Sequence, residues 1–169
     1  MKIFMIIAAI LTVLYVLVAE IYGFKPISFS SSYYGFEKYR KGMGRVFSMW
    51  CFLVAILAMP ILTSKFKLAG FITCGSLFIV GLTSAFHDRH KETTHYLSAI
   101  LCGASIAYMA VLTSLWIMPV TVISLVIYVF LNRHKMSGDN FQERLESIRF
   151  NWWGELSLFL DAFIVSFLP

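Results

Sequence analysis

Apolar residues run along this chain in long blocks separated by short polar stretches. Six blocks, at residues 3–22, 46–63, 68–86, 95–113, 115–131 and 153–168, are long enough or nearly so to cross a membrane. A hydrocarbon layer of about 30 Å takes roughly 20 residues rising 1.5 Å each. The fourth and fifth blocks form one stretch, 95–131, without a single Asp, Glu, Lys or Arg. That stretch is too long for one crossing without large tilt. Thr113, Ser114 and Pro119 mark the expected break, since proline is tolerated in the first turn of a new helix.

Before the last block, Phe141, Leu145, Ile148 and Trp152 recur at helical spacing, with Gln142, Glu143, Arg144, Glu146 and Arg149 among them. The pattern predicts an interfacial helix. Asp139 followed three residues later by Gln142 reads as its capping box. The fold class expected is all-α: a polytopic six-helix transmembrane bundle, one domain over residues 1–169, with the interfacial helix before the last span.

Composition agrees. Hydrophobic residues make up 59% and charged residues 14% of the chain, against about 45–50% and 25% in soluble domains. Cys51, Cys74 and Cys102 each lie inside an apolar block, which argues for packing rather than a disulfide framework or thiolate metal site. Residues 1–19 resemble a signal peptide, but Leu17 stands where a cleavage site needs a small residue, so this block is read as the first membrane helix. The net charge of +5 comes from residues flanking the apolar blocks, not from a soluble basic face, so no nucleic-acid partner is expected.

The 14 Lys and Arg divide unevenly. The first, third and fifth loops hold all of them except Lys2, Lys65 and Lys67. The positive-inside rule then puts the rich side in the cytoplasm and both termini outside. Tyr22, Phe24, Tyr33, Tyr34, Tyr39, Trp152 and Trp153 crowd the same side, at the level amphipathic rings favour. On the fourth block Ala99, Gly103 and Ala107 share one face and allow close helix approach, inside the bundle or in a homo-oligomer.

Ionisable groups within a bilayer cost several kcal/mol and are candidate functional residues. Glu20 and Glu155 stand at the basic ends of the first and last blocks, and Asp161 lies about 9 Å deeper. The third loop adds His87, Asp88 and His95, and the first loop adds Ser28, Ser30, Ser31, Ser32, Tyr33 and Tyr34. All of them converge on one end of the bundle.

This convergence supports two function classes. In the first, a polar cavity at the basic face binds a lipid headgroup or a partner protein, with Ser28, Tyr34 and Asp88 lining it. In the second, His87, His95 and Asp161 hold a metal, zinc being the candidate, and Glu20 or Glu155 serves as base in hydrolysis of a lipid. A plain structural reading also stands: His95 heads a helix capped by Thr93 or Thr94, and the acids pair with nearby Lys or Arg. A channel would need a polar path, yet the other half of the bundle offers only Thr, Ser and Cys.

Gly81, the turn Phe86-His87-Asp88, and His95 with Ala99 four residues later resemble a pattern in six-helix bacterial membrane proteins of unknown function, distantly similar to the Frag/DRAM-type families. That resemblance implies six helices and a lipid-related role, and carries over Asp88 and His95. Glu20, Ser28 and the histidine loop are also similar to alkaline ceramidase-like membrane hydrolases. Those have seven helices and paired histidines in the last one, where this chain has Glu155 and Asp161.

Overall fold

A computed structural model describes residues 2–85 and 89–168, and among them every regular element is helical. The elements are α1 (Lys2–Tyr22), α2 (Ser32–Tyr39), α3 (Arg45–Phe66), α4 (Leu68–Leu82), α5 (Arg89–Thr113), α6 (Ile117–Asn132), α7 (Phe141–Ser147) and α8 (Phe150–Phe167). Four segments are long and apolar enough to cross a membrane: α1, α3, Lys91–Thr113 of α5, and Ile117–Lys135. Helix α4 is apolar but has 15 residues, about 22 Å at 1.5 Å per residue. In α8, 18 residues long, Glu155 and Asp161 interrupt the apolar run.

The boundaries follow local chemistry. Helices α5 and α6 are separate, broken at Ser114–Trp116, and Pro119 is the third residue of α6. There it lacks only an N–H that a first turn leaves unpaired in any case. Helix α5 begins at Arg89, six residues before the predicted start, because polar residues can continue a helix and apolar patterning does not register them. His95 therefore sits within the helix, and Thr93 and Thr94 are helical and exposed rather than caps.

The cap of α7 also differs from the Asp139–Gln142 box. Asn140 is the N-cap: it has extended backbone, and its side chain accepts the Glu143 N–H at 2.8 Å. Glu143 reaches back to the Asp139 N–H, also at 2.8 Å. The reciprocal arrangement is thus shifted by one residue, since the cap must lie where the backbone leaves helical geometry.

Helix α2 has no apolar block behind it. It forms where Gly35 meets the end of α1: a Cβ on Gly35 would lie 2.1 Å from the Gly23 carbonyl oxygen. In the turn after it, the Glu37 carboxylate accepts the N–H groups of Gly42 at 3.0 Å and Gly44 at 2.9 Å. These bonds hold its carboxyl below the ordinary value of 4.5.

Helices α3 and α4 form an antiparallel pair around Lys67, whose φ is +40°. Helix α5 packs on α4, α1 on α3, and α8 on α5 and α6. At one end, Lys65 Nζ donates to the carbonyls of Val165 and Leu168 at 2.7 and 2.6 Å, satisfying the end of α8. At the other end, the chain between α1 and α2 meets the start of α8.

The α3–α4 turn needs a glycine. A Cβ on Gly70 would fall 2.3 Å from the Leu62 carbonyl carbon and oxygen, both main-chain atoms that cannot rotate away. Gly70→Ala is expected to separate the two helices and to destabilise the protein by about 1–3 kcal/mol. Thermal unfolding in detergent checks this, and an unchanged midpoint would contradict the packing.

Candidate functional site

After α1 the chain does not stay at the surface. Residues 26–31 turn back against the start of α8, and Phe29 is 3% exposed. Three main-chain groups of this segment meet the N-cap residue and two further positions of α8. Arg149 Nε donates to the Pro26 carbonyl at 2.9 Å, the Trp152 N–H donates to the Ile27 carbonyl at 2.9 Å, and the Phe29 N–H donates to Glu155 Oε2 at 2.6 Å. Positions 152 and 155 are three apart, so they lie along one side of the helix, and Arg149 is the residue that precedes it. The Trp152 N–H is one of the donors that a helix start leaves open.

Apolar contacts complete the dock. The Phe29 ring stacks on Trp152 at 4.4 Å between centroids and lies 5.2 Å from Trp50 and 5.4 Å from Phe159. Tyr15 stacks on Trp50 at 4.5 Å, and its hydroxyl bonds Ser32 Oγ. Ser28 and Ser31 brace the turn through each other: Ser31 Oγ accepts the Ser28 N–H at 2.9 Å, and Ser28 Oγ accepts the Ser31 N–H at 3.1 Å.

Next to Phe29, Ser30 Oγ lies 2.9 Å from Nε2 of His95, a residue 1% exposed. The other ring nitrogen, Nδ1, lies 3.2 Å from Thr83 Oγ1 at the end of α4. Beneath this layer is a cavity of about 90 Å³. Its walls are mostly apolar, including Phe47, Trp50, Leu77, Val80, Ile106 and Phe159, and Ser30 and Glu155 are its polar lining. Ala99 and Gly103 of α5 also line it, and a Cβ on Gly103 would lie 3.3 Å from Leu158 Cδ1. Small side chains here keep space open between α5 and α8.

The sequence-predicted residues fall into separate groups. Glu155 and His95 belong to the layer around Ser30. Glu20 is outside it, paired with the Arg149 guanidinium, with Nη1 to Oε2 at 3.0 Å. Asp161, 3% exposed, accepts the Thr121 hydroxyl, each carboxylate oxygen lying 2.9 Å from Oγ1, which ties α6 to α8 away from the cavity. Ser28 serves the turn, and Tyr34 packs edge-on against Tyr33 at 5.2 Å. His87 and Asp88 lie outside the described residues. Among the described residues no three His, Cys, Asp or Glu side chains gather closely enough to hold a metal, and His95 and Asp161 bond to different partners.

Ser30 and Thr83 were not singled out by sequence reasoning. Ser30 stood within the noted serine cluster but nothing distinguished it from Ser28. Thr83 carried no signal, being one hydroxyl at the end of an apolar run.

Glu155→Ala removes the acceptor of a buried N–H, which costs about 1–3 kcal/mol. Glu155→Gln keeps an acceptor oxygen, and its loss of stability is expected to be the smaller of the two. Thermal unfolding of both variants in one detergent checks the order. Equal stability of Glu155→Ala and the parent chain would contradict the role assigned to this carboxylate. No protein family, curated protein or solved structure matches this chain, so the reading of the site rests on its own geometry.

Proposed function

We propose that this chain is a six-span membrane protein that binds a lipid at its basic face, with part of an apolar chain in the cavity and the polar end at Ser30, His95 and Glu155. The observation that carries the reading is the cavity itself. A space of about 90 Å³ is smaller than the ~150 Å³ engineered cavity that accepts benzene. It therefore suits a few methylene groups rather than a polar headgroup. An apolar pocket with a few convergent polar groups is the usual form of a small-molecule site.

Six spans take α4 and α8 as crossings beside the four long apolar segments. Helix α4 is short, but a short span is accommodated by local thinning of the bilayer. Helix α8 keeps its two acids off the lipid, since Glu155 accepts a protein N–H and Asp161 a protein hydroxyl. The uneven distribution of Lys and Arg supports a cytoplasmic site, with both termini outside.

Lipid extracted from detergent-purified protein and quantified by mass spectrometry tests the binding. Gly103→Leu and Ala99→Leu fill the space, and each is expected to lower retained lipid per protein at least about tenfold while the protein stays folded. Equal retention in parent and filled variants would sink the cavity as the lipid site. For the topology, a single cysteine placed at either terminus of a cysteine-free chain is expected to react with an impermeant maleimide added outside intact cells. Protection of both until the cells are opened would reverse the orientation.

A further inference from the structure

The hydrogen bonds around His95 have a direction. The Thr83 hydroxyl donates to the Ile79 carbonyl at 2.8 Å, and the Thr83 N–H donates to the same carbonyl at 2.9 Å. A hydroxyl has one proton, so toward His95 Nδ1, 3.2 Å away, Thr83 Oγ1 acts as acceptor.

Thr83 Oγ1 therefore calls for a proton on the ring nitrogen that faces it. In the neutral ring this puts the proton on Nδ1 and the lone pair on Nε2, an assignment made from the hydrogen-bond network. Ser30 Oγ, 2.9 Å from Nε2, is then the donor to it. A serine donating to an imidazole whose far nitrogen is held by an acceptor is the arrangement that activates a hydroxyl for nucleophilic attack.

Location supplies the second argument. Ser30 is on the wall of the apolar cavity, next to Phe29 and facing a space that suits a short stretch of hydrocarbon. Glu155 is the other polar residue of the lining, and the peptide N–H it accepts belongs to the residue before Ser30. The would-be nucleophile is thus held by main-chain anchoring and lies where the polar end of an acyl chain would meet it.

We infer that Ser30 and His95 are the nucleophile and general base of an acyl hydrolase acting on an ester-linked acyl chain seated in this cavity. The inference rests on the lipid-binding reading above. Ser30 Oγ adds to the ester carbonyl carbon as Nε2 of His95 takes the hydroxyl proton. The carbon–oxygen bond to the alcohol breaks as that oxygen receives the proton from Nε2, leaving an acyl-serine. Water then adds to the acyl carbon, giving a proton to Nε2, and the bond to Ser30 breaks as Oγ regains that proton. One ester and one water become one carboxylic acid and one alcohol, with no change of oxidation state.

The test uses the full chain in detergent with two probes, an alkyl fluorophosphonate and p-nitrophenyl butyrate. A single phosphonyl adduct is expected, mapped to Ser30 by peptide mass spectrometry and missing in Ser30→Ala. His95→Gln is expected to lower both the labelling rate and butyrate hydrolysis at least about 100-fold, the scale of general-base assistance. Both rates in the parent chain should rise with pH to a plateau as the ring loses its proton.

No adduct at Ser30 in the parent chain, or equal labelling in His95→Gln, overturns the inference. Retained lipid, measured on the same samples, separates the two readings. A parent chain that keeps lipid yet leaves Ser30 unlabelled overturns the hydrolase alone. A chain without lipid whose Ser30 takes the adduct supports the nucleophile and overturns the lipid reading. Ser30→Ala with the parent lipid load and no adduct is a folded, binding-competent protein without its nucleophile, which supports the inference.

Discussion

The bond from the Phe29 N–H to the Glu155 carboxylate is the constraint on which the site depends. A helix satisfies its own main chain, but the segment after α1 is not helical and enters the interior. Away from water each unpaired N–H or carbonyl costs several kcal/mol, so irregular backbone is tolerated at such depth only where protein groups replace the solvent. Helix α8 and its N-cap residue supply them through Arg149, Trp152 and Glu155, one residue for each main-chain group of Pro26, Ile27 and Phe29.

Once this segment is docked, much of the remaining arrangement follows. Phe29 joins Tyr15, Trp50, Trp152 and Phe159 in an aromatic cluster that brings α1, α3 and α8 together. Ser30, next in the chain, is carried to His95 on α5, and His95 is oriented by Thr83 at the end of α4. The cavity survives below because Ala99 and Gly103 leave room that larger residues would occupy. Interiors are otherwise close-packed, so a space kept open by two small residues among large apolar ones, with Ser30 and Glu155 on its wall, is a specific feature of this fold.

The two acids of α8 do different work although they are six residues apart. Glu155 anchors the inserted segment, whereas Asp161 accepts the Thr121 hydroxyl and holds α6 against α8. Helix α6 is also held through Tyr128, whose hydroxyl donates to the Ile148 carbonyl at 2.5 Å, while Val122, Ile123, Val126, Ile127 and Phe130 are all exposed. Its exposed face is what lipid would cover in a bilayer, and the polar contacts at Thr121 and Tyr128 set which side turns inward. Glu20, at the end of α1, pairs with Arg149, as expected of a carboxylate near a basic residue.

The sequence by itself determined the long apolar helices, the break between residues 113 and 119, the helical segment before α8, and the presence of unusual acids in apolar surroundings. These are local properties: periodicity, proline and hydropathy report what a residue needs from its own helix. Sequence also gathered the serine cluster, Glu155 and His95 at one end, since an antiparallel chain must place them there. Tertiary structure alone decided that Phe29 reaches Glu155 across 126 positions and that Ser30 reaches His95 across 65. It also chose Ser30 over Ser28, gave Glu20 to Arg149, and separated Asp161 from His95. Such pairings depend on the angle and depth at which helices pack and on the insertion of one irregular segment, and no spacing along the chain encodes either.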